Sequence, residues 1–122
     1  MKNISILGST GSIGTQALAV IKANPEIYQV TALTAQRNAD LLIAQALEFK
    51  PAMVVICDET QYLKVKSALA HSGVKVLAGE EALCEAASLP SADLVITAVM
   101  GSVGLKPTIA AIEAGKDIGL AN

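Results

Sequence analysis

The stretch "GSTGSIG", residues 8–14, decides how the chain is read. It follows the apolar run "ISIL" (4–7) and opens "TQALAVIKAN" (15–24). Glycine inside a helix costs ~1 kcal/mol relative to alanine. Gly8, Gly11 and Gly14 therefore mark a point where the backbone has to be bare. A strand, a glycine-rich turn and a helix in series are where parallel α/β proteins hold phosphate. The helix N-terminus offers unpaired N–H groups and a partial positive charge. One glycine allows the tight turn, one allows close approach of a ligand, and one allows the helix to pack on the strand. Ser9, Thr10 and Ser12 add hydroxyl donors. The spacing is GxxGxxG rather than GxGxxG, and its position between strand and helix is what gives it weight. A P-loop is excluded, because the stretch carries no lysine.

Outward from this turn, short apolar runs alternate with helical patterns. Strands are expected at 4–7, 28–35, 52–57, 74–78, 93–99 and 117–121. Helices are expected between them. Ile13, Ala17, Val20 and Ile21 fall on one face of the first, over residues 12–23. Leu42, Ala46 and Phe49 mark the second, with Asn38 as its N-cap. Tyr62, Val65 and Leu69 mark the third, and residues 80–88 form a short fourth. Leu105, Ile109 and Ile112 line the fifth, with Pro107 in its first turn and Gly115 at its C-cap. This alternation predicts an α/β domain, a doubly wound parallel sheet of about six strands with helices on both faces, Rossmann-like. The near-continuous apolar runs at 52–57 and 94–99 suit strands buried on both sides.

Ligands of such sheets sit at the C-terminal ends of the strands. After the second strand the chain reads "TAQRN" (34–38). Proteins that prefer NAD carry an acid near this point for the ribose 2′-hydroxyl. Here there is none, and Arg37 would instead pair with a 2′-phosphate. That favours NADP over NAD. Asp40 is read as a stabiliser of the following helix N-terminus. "VMGSVG" (99–104), with Gly101 and Gly104, follows the fifth strand, and Asn122 follows the sixth. Both lie on the same ligand edge.

Composition narrows the function classes. The 122 residues suit one domain, and 52% hydrophobic residues supply a core. A net charge of −2 and 2% aromatic residues give neither a polyanion surface nor a stacking platform for nucleic acid. No run is long enough to cross a bilayer, and no signal or transit peptide is apparent, so a cytoplasmic location is expected. Cys57 and Cys84 have no metal-ligand spacing and read as buried free thiols of a reducing compartment. His71, the one histidine, reads as a helix C-terminal residue. No nucleophile–base pair, carboxylate cluster or metal set is legible, so no catalytic residue is assigned.

The chain resembles the N-terminal domain of the 1-deoxy-D-xylulose 5-phosphate reductoisomerase family. The resemblance runs over the whole chain. It rests on "ILGSTGSIG" (6–14), "NPE" (24–26), "ALTAQRN" (32–38), "GLKPTIAAIEAGK" (104–116) and "LAN" (120–122). It implies an enzyme of non-mevalonate isoprenoid biosynthesis. That enzyme rearranges 1-deoxy-D-xylulose 5-phosphate to a branched aldehyde and reduces it with NADPH to 2-C-methyl-D-erythritol 4-phosphate. It further implies a divalent metal, Mg²⁺ or Mn²⁺, on the substrate oxygens, a homodimer, and sensitivity to fosmidomycin-type inhibitors.

By the same resemblance Thr10, Gly11, Ser12 and Ile13 line the cofactor phosphates. Arg37 and Asn38 hold the adenosine end, with Arg37 at the 2′-phosphate, and Gln36 offers a backbone contact beside them. Gln36 stands where the family commonly has glycine. Asn122 lies toward the nicotinamide. The family pattern continues past "LAN" into "KE", and its substrate and metal residues lie downstream. Residues 1–122 thus read as the cofactor domain of a longer enzyme, inert alone, with an apolar patch beside the last strand that promotes self-association. Two other readings stay open on the residues themselves: another NADP-linked reductase, and a dinucleotide-sensing regulatory module without chemistry.

Overall fold

Strands β1 (Lys2–Leu7), β2 (Tyr28–Ala35), β3 (Met53–Ile56), β4 (Lys75–Ala78), β5 (Leu94–Thr97) and β6 (Asp117–Leu120) pair in parallel. They form one sheet in the order β4-β3-β2-β1-β5-β6. The computed structural model describes residues 1–98 and 105–120. Helices α1 (Ser12–Ala23), α2 (Ala39–Phe49), α3 (Tyr62–Ala68), α4 (Ala82–Ala87) and α5 (Leu105–Glu113) connect the strands. The chain winds outward from β1 to β4, then returns to place β5 on the other side of β1. The strand order therefore reverses beside β1, which is where open α/β sheets leave a crevice for ligand.

The two faces carry separate cores. On one, Leu18 and Ile21 of α1, Leu42 and Ala46 of α2, and Val65 of α3 pack on Ile4, Ile6, Leu33, Val54 and Ile56. On the other, Leu83, Ala86 and Ala87 of α4 and Ala111 of α5 cover Leu7, Ala32, Val55 and Val95. All of β3 is buried, as its apolar run requires. In β5 only Val95 and Thr97 are buried, and Leu94 and Ile96 are half-covered.

The helices stop where the residues dictate. Asn38 Oδ1 accepts the Leu41 amide at 3.1 Å and caps α2. Asp40 lies in the first turn of that helix and meets Lys64 Nζ at 2.8 Å. Lys50 ends α2 in the left-handed region (φ 50°), just before Pro51. The β1–β2 register slips between Ile4 and Ser5, so that Ile4 pairs Val30 while Ser5 pairs Ala32. Thr31 is the extra residue of this bulge, and its hydroxyl bonds that of Ser91 at 2.9 Å.

Several expectations about faces need correction. In α1 the buried residues are Gly14, Leu18 and Ile21, whereas Ile13 and Val20 are 40% and 57% exposed. The helix lies close to the turn beneath it, and that contact uses its smallest residue. Among the described side chains of α5, Pro107 and Ala111 are buried, and Ile109 and Ile112 face outward. Cys57 and Cys84 are free but only half-buried. His71 lies past the end of α3, exposed in the turn beyond the Leu69 C-cap. Among the described residues, no helix is long and apolar enough to cross a membrane.

Candidate cofactor site

The turn 8–11 leaves the end of β1 and enters α1. Gly8 adopts φ +84°, and a Cβ there would meet the Ala98 carbonyl oxygen at 3.0 Å, so this position needs glycine twice over. A Cβ on Gly14 would lie 2.2 Å from the Gly8 carbonyl oxygen and 2.6 Å from Ser9 Cα. Its hydrogen allows α1 to sit on the turn. Gly11 is different. It is the N-cap of α1 at φ −79°, a conformation open to any residue, and it is exposed. A Cβ there would approach no described atom closer than 4.0 Å. The described fold thus gives no internal reason for glycine at 11, and a bare backbone there serves whatever comes to the helix end.

That helix end has unpaired donors and no negative charge. The amides of Ser12, Ile13 and Gly14 have no acceptor among the described residues, and no acid occupies the first turn. Thr10 is half-buried, while Gly11, Ser12 and Ile13 are exposed. Thr15 donates its hydroxyl back to Ser12 O at 3.0 Å. Ser9 corrects its expected role, for it is fully buried and donates inward. Its hydroxyl lies 2.7 Å from Gln45 Oε1 and 3.2 Å from Thr34 O. It holds the turn rather than a ligand.

The second group of residues follows β2. Gln36 and Arg37 line a cavity of about 250 Å³ with Cys57, Asp58 and Glu80. The Asp58 amide donates to Gln36 O at 2.8 Å, which ties this loop to the end of β3. Hydrogen bonds from the Thr60 hydroxyl (2.6 Å) and amide (3.0 Å) hold the Asp58 carboxyl below its ordinary value, with a smaller pull from Arg37. Burial, and then the charge of Glu80, push the Cys57 thiol up to about 11. It stays a neutral wall of the cavity at physiological pH. Asn38 spends its Oδ1 on the α2 cap. Residues 99–104, with Gly101 and Gly104, and Asn122 lie outside the described residues.

Sequence reasoning missed Gln45 and Thr34. Gln45 sits in an otherwise ordinary helical pattern, and nothing local distinguishes it from a solvated glutamine. Asp58 and Glu80 also escaped notice, because they reach the cavity from the loops after β3 and β4, far along the chain. Among the described residues, no group of three or more His, Cys, Asp or Glu is placed to hold a metal ion.

A doubly wound sheet with a glycine-rich turn heading its first helix defines the class of dinucleotide-binding α/β domains. The family model of 1-deoxy-D-xylulose 5-phosphate reductoisomerase matches residues 4–122, and the chain belongs to that family. A relative of that name from Bacteroides fragilis is 57% identical over 121 residues, which are 99% of this chain and 31% of the relative. One from a Geobacillus species is 51% identical over 122 residues, 100% of this chain and 32% of the relative. The chain thus spans about a third of the length of the curated relatives it matches.

Solved structures agree. The reductoisomerase from Zymomonas mobilis in complex with NADPH superposes at a TM-score of 0.94 with 45% identity, covering 99% of this chain and 32% of that one. A reductoisomerase in complex with NADPH, fosmidomycin and magnesium superposes at 0.95 with 38% identity, covering 100% and 30%.

Proposed function

We propose that residues 1–122 are the NADPH-binding domain of a 1-deoxy-D-xylulose 5-phosphate reductoisomerase. The observation that carries this reading is Gly11, a glycine the described fold does not itself require, at a helix end whose first amides lack acceptors. Those amides and the hydroxyls of Thr10 and Ser12 bind the cofactor phosphates, with Ile13 against them. Gln36 and the Asn38 side-chain amide meet the adenosine, and Arg37 pairs with the 2′-phosphate at the mouth of its cavity. The resemblance carried by "LAN" (120–122) assigns Asn122 to the nicotinamide side.

NADPH supplies a hydride when bound. This chain's part is to hold and orient it. The full-length enzyme would use it to form 2-C-methyl-D-erythritol 4-phosphate from the rearranged aldehyde. The described residues form no ligand set for Mg²⁺ or Mn²⁺, so no step through a metal is assigned to them. The full-length enzyme is read as a cytoplasmic homodimer, and this domain alone as inert.

Titration of the chain with NADPH, beside a Gly11→Val variant, tests the reading. Saturable binding is expected for the native chain, with loss in the variant while its melting temperature stays close to native. Equal binding by both would remove the glycine turn from the site.

A further inference from the structure

Gln45 is only 6% exposed, although it lies on a helix whose other buried residues are Ala39, Leu42 and Ala46. Both ends of its amide engage one residue. Its Oε1 accepts the Ser9 hydroxyl at 2.7 Å, and its Nε2 donates to Ser9 O at 2.9 Å. The same turn is gripped from β2. Thr34 Oγ1 accepts the Gly8 amide at 2.9 Å, and Thr34 O accepts the Ser9 amide at 2.7 Å. Thr34 precedes the loop 36–38 and Gln45 follows it. The two residues that hold the glycine turn therefore bracket the segment with Gln36, Arg37 and Asn38.

The apolar contacts of α2 already fix that helix on the sheet. A buried amide adds little net stability, because its hydrogen bonds replace bonds to water. A fully satisfied buried network fixes position instead. We propose that Gln45 is a positioning residue for the cofactor: through Ser9 it sets the separation between the phosphate-binding turn and the loop that receives the 2′-phosphate. This rests on the reading of the site as an NADPH site. A dinucleotide must satisfy both loops at once, whereas a mononucleotide satisfies one.

The test compares Gln45→Leu with the native chain in three measurements. These are the affinity for NADPH, the affinity for adenosine 2′-monophosphate, and amide hydrogen exchange of residues 8–14 against that of β1 and β3. Losing both amide bonds is expected to weaken NADPH about tenfold. Adenosine 2′-monophosphate should bind unchanged, and exchange should quicken in the turn but not in the strands. Gln45→Met, and Ser9→Ala, which deletes only the hydroxyl bonds, provide folded variants should Gln45→Leu not fold. A Ser9→Ala loss smaller than that of Gln45→Met is expected.

Unchanged NADPH affinity, equal losses for both nucleotides, or faster exchange spread evenly over the strands would overturn the inference. Failure of the native chain to bind NADPH would defeat the proposed function. The exchange comparison alone would then decide whether Gln45 holds the turn.

Discussion

A Cβ on Gly14 would stand 2.2 Å from the carbonyl oxygen of Gly8, so the first helix rests directly on the turn that precedes it. Gly11 lies between them in sequence, and a Cβ there would come no closer to a described atom than 4.0 Å, at the Gly8 carbonyl oxygen. The two positions should respond oppositely to alanine. Gly14→Ala is expected to destabilise by about 3 kcal/mol, because backbone has to move. Gly11→Ala should change stability by less than about 0.5 kcal/mol while weakening NADPH. Urea denaturation and calorimetric titration of both variants check this. Equal stability losses would contradict it.

Ser5, at the β1 bulge, is fully buried, and its hydroxyl has no hydrogen-bond partner among the described residues. An orphaned buried hydroxyl costs about 1–3 kcal/mol. Ser5→Ala removes it with little change of volume. The variant should melt about 4 °C higher, which corresponds to about 1 kcal/mol for a domain of this size. A lower melting temperature would show that the hydroxyl is satisfied.

Cys57 is raised from an ordinary 9.0 to about 11, first by burial and then by Glu80. The folded chain holds the proton more tightly than the unfolded one. The thiol therefore costs nothing below about pH 9 and destabilises progressively as the pH rises toward about 11. Melting temperatures of the native chain should fall more steeply over that window than those of Cys57→Ala. Alkylation of Cys57 at pH 8 should likewise be slow and should quicken in Glu80→Gln. Identical alkaline slopes would contradict this assignment.

The fold was largely legible because its two periodicities are clean. Periodicity places the second strand at 28–35, where Tyr28–Ala35 stands, and the first helix at 12–23, which is Ser12–Ala23. The faces of the helices were less legible. A reader of periodicity assigns Ile13 and Val20 inward, but α1 approaches the turn so closely that Gly14 takes the contact. The same rule misplaced Ile109 and Ile112, because α5 turns Pro107 and Ala111 inward.

In the site, Arg37 and the glycines announced themselves through local spacing. The holding roles of Ser9, Thr34 and Gln45 did not, since they lie in hydrogen bonds spanning 25 to 36 residues of sequence. Asp58 and Glu80 meet Arg37 only after the sheet has brought the ends of β2, β3 and β4 together.

The proposed cofactor site joins the glycine turn and Arg37 around one NADPH. Its most direct test is calorimetric titration of the chain with NADPH and with NADH, repeated on Arg37→Gln. A guanidinium–phosphate contact is worth roughly 1.5–3 kcal/mol. The native chain should therefore prefer NADPH by about tenfold or more, and the variant should lose that preference while keeping its affinity for NADH. Equal affinities in the native chain, or a preference for NADH, would contradict the account.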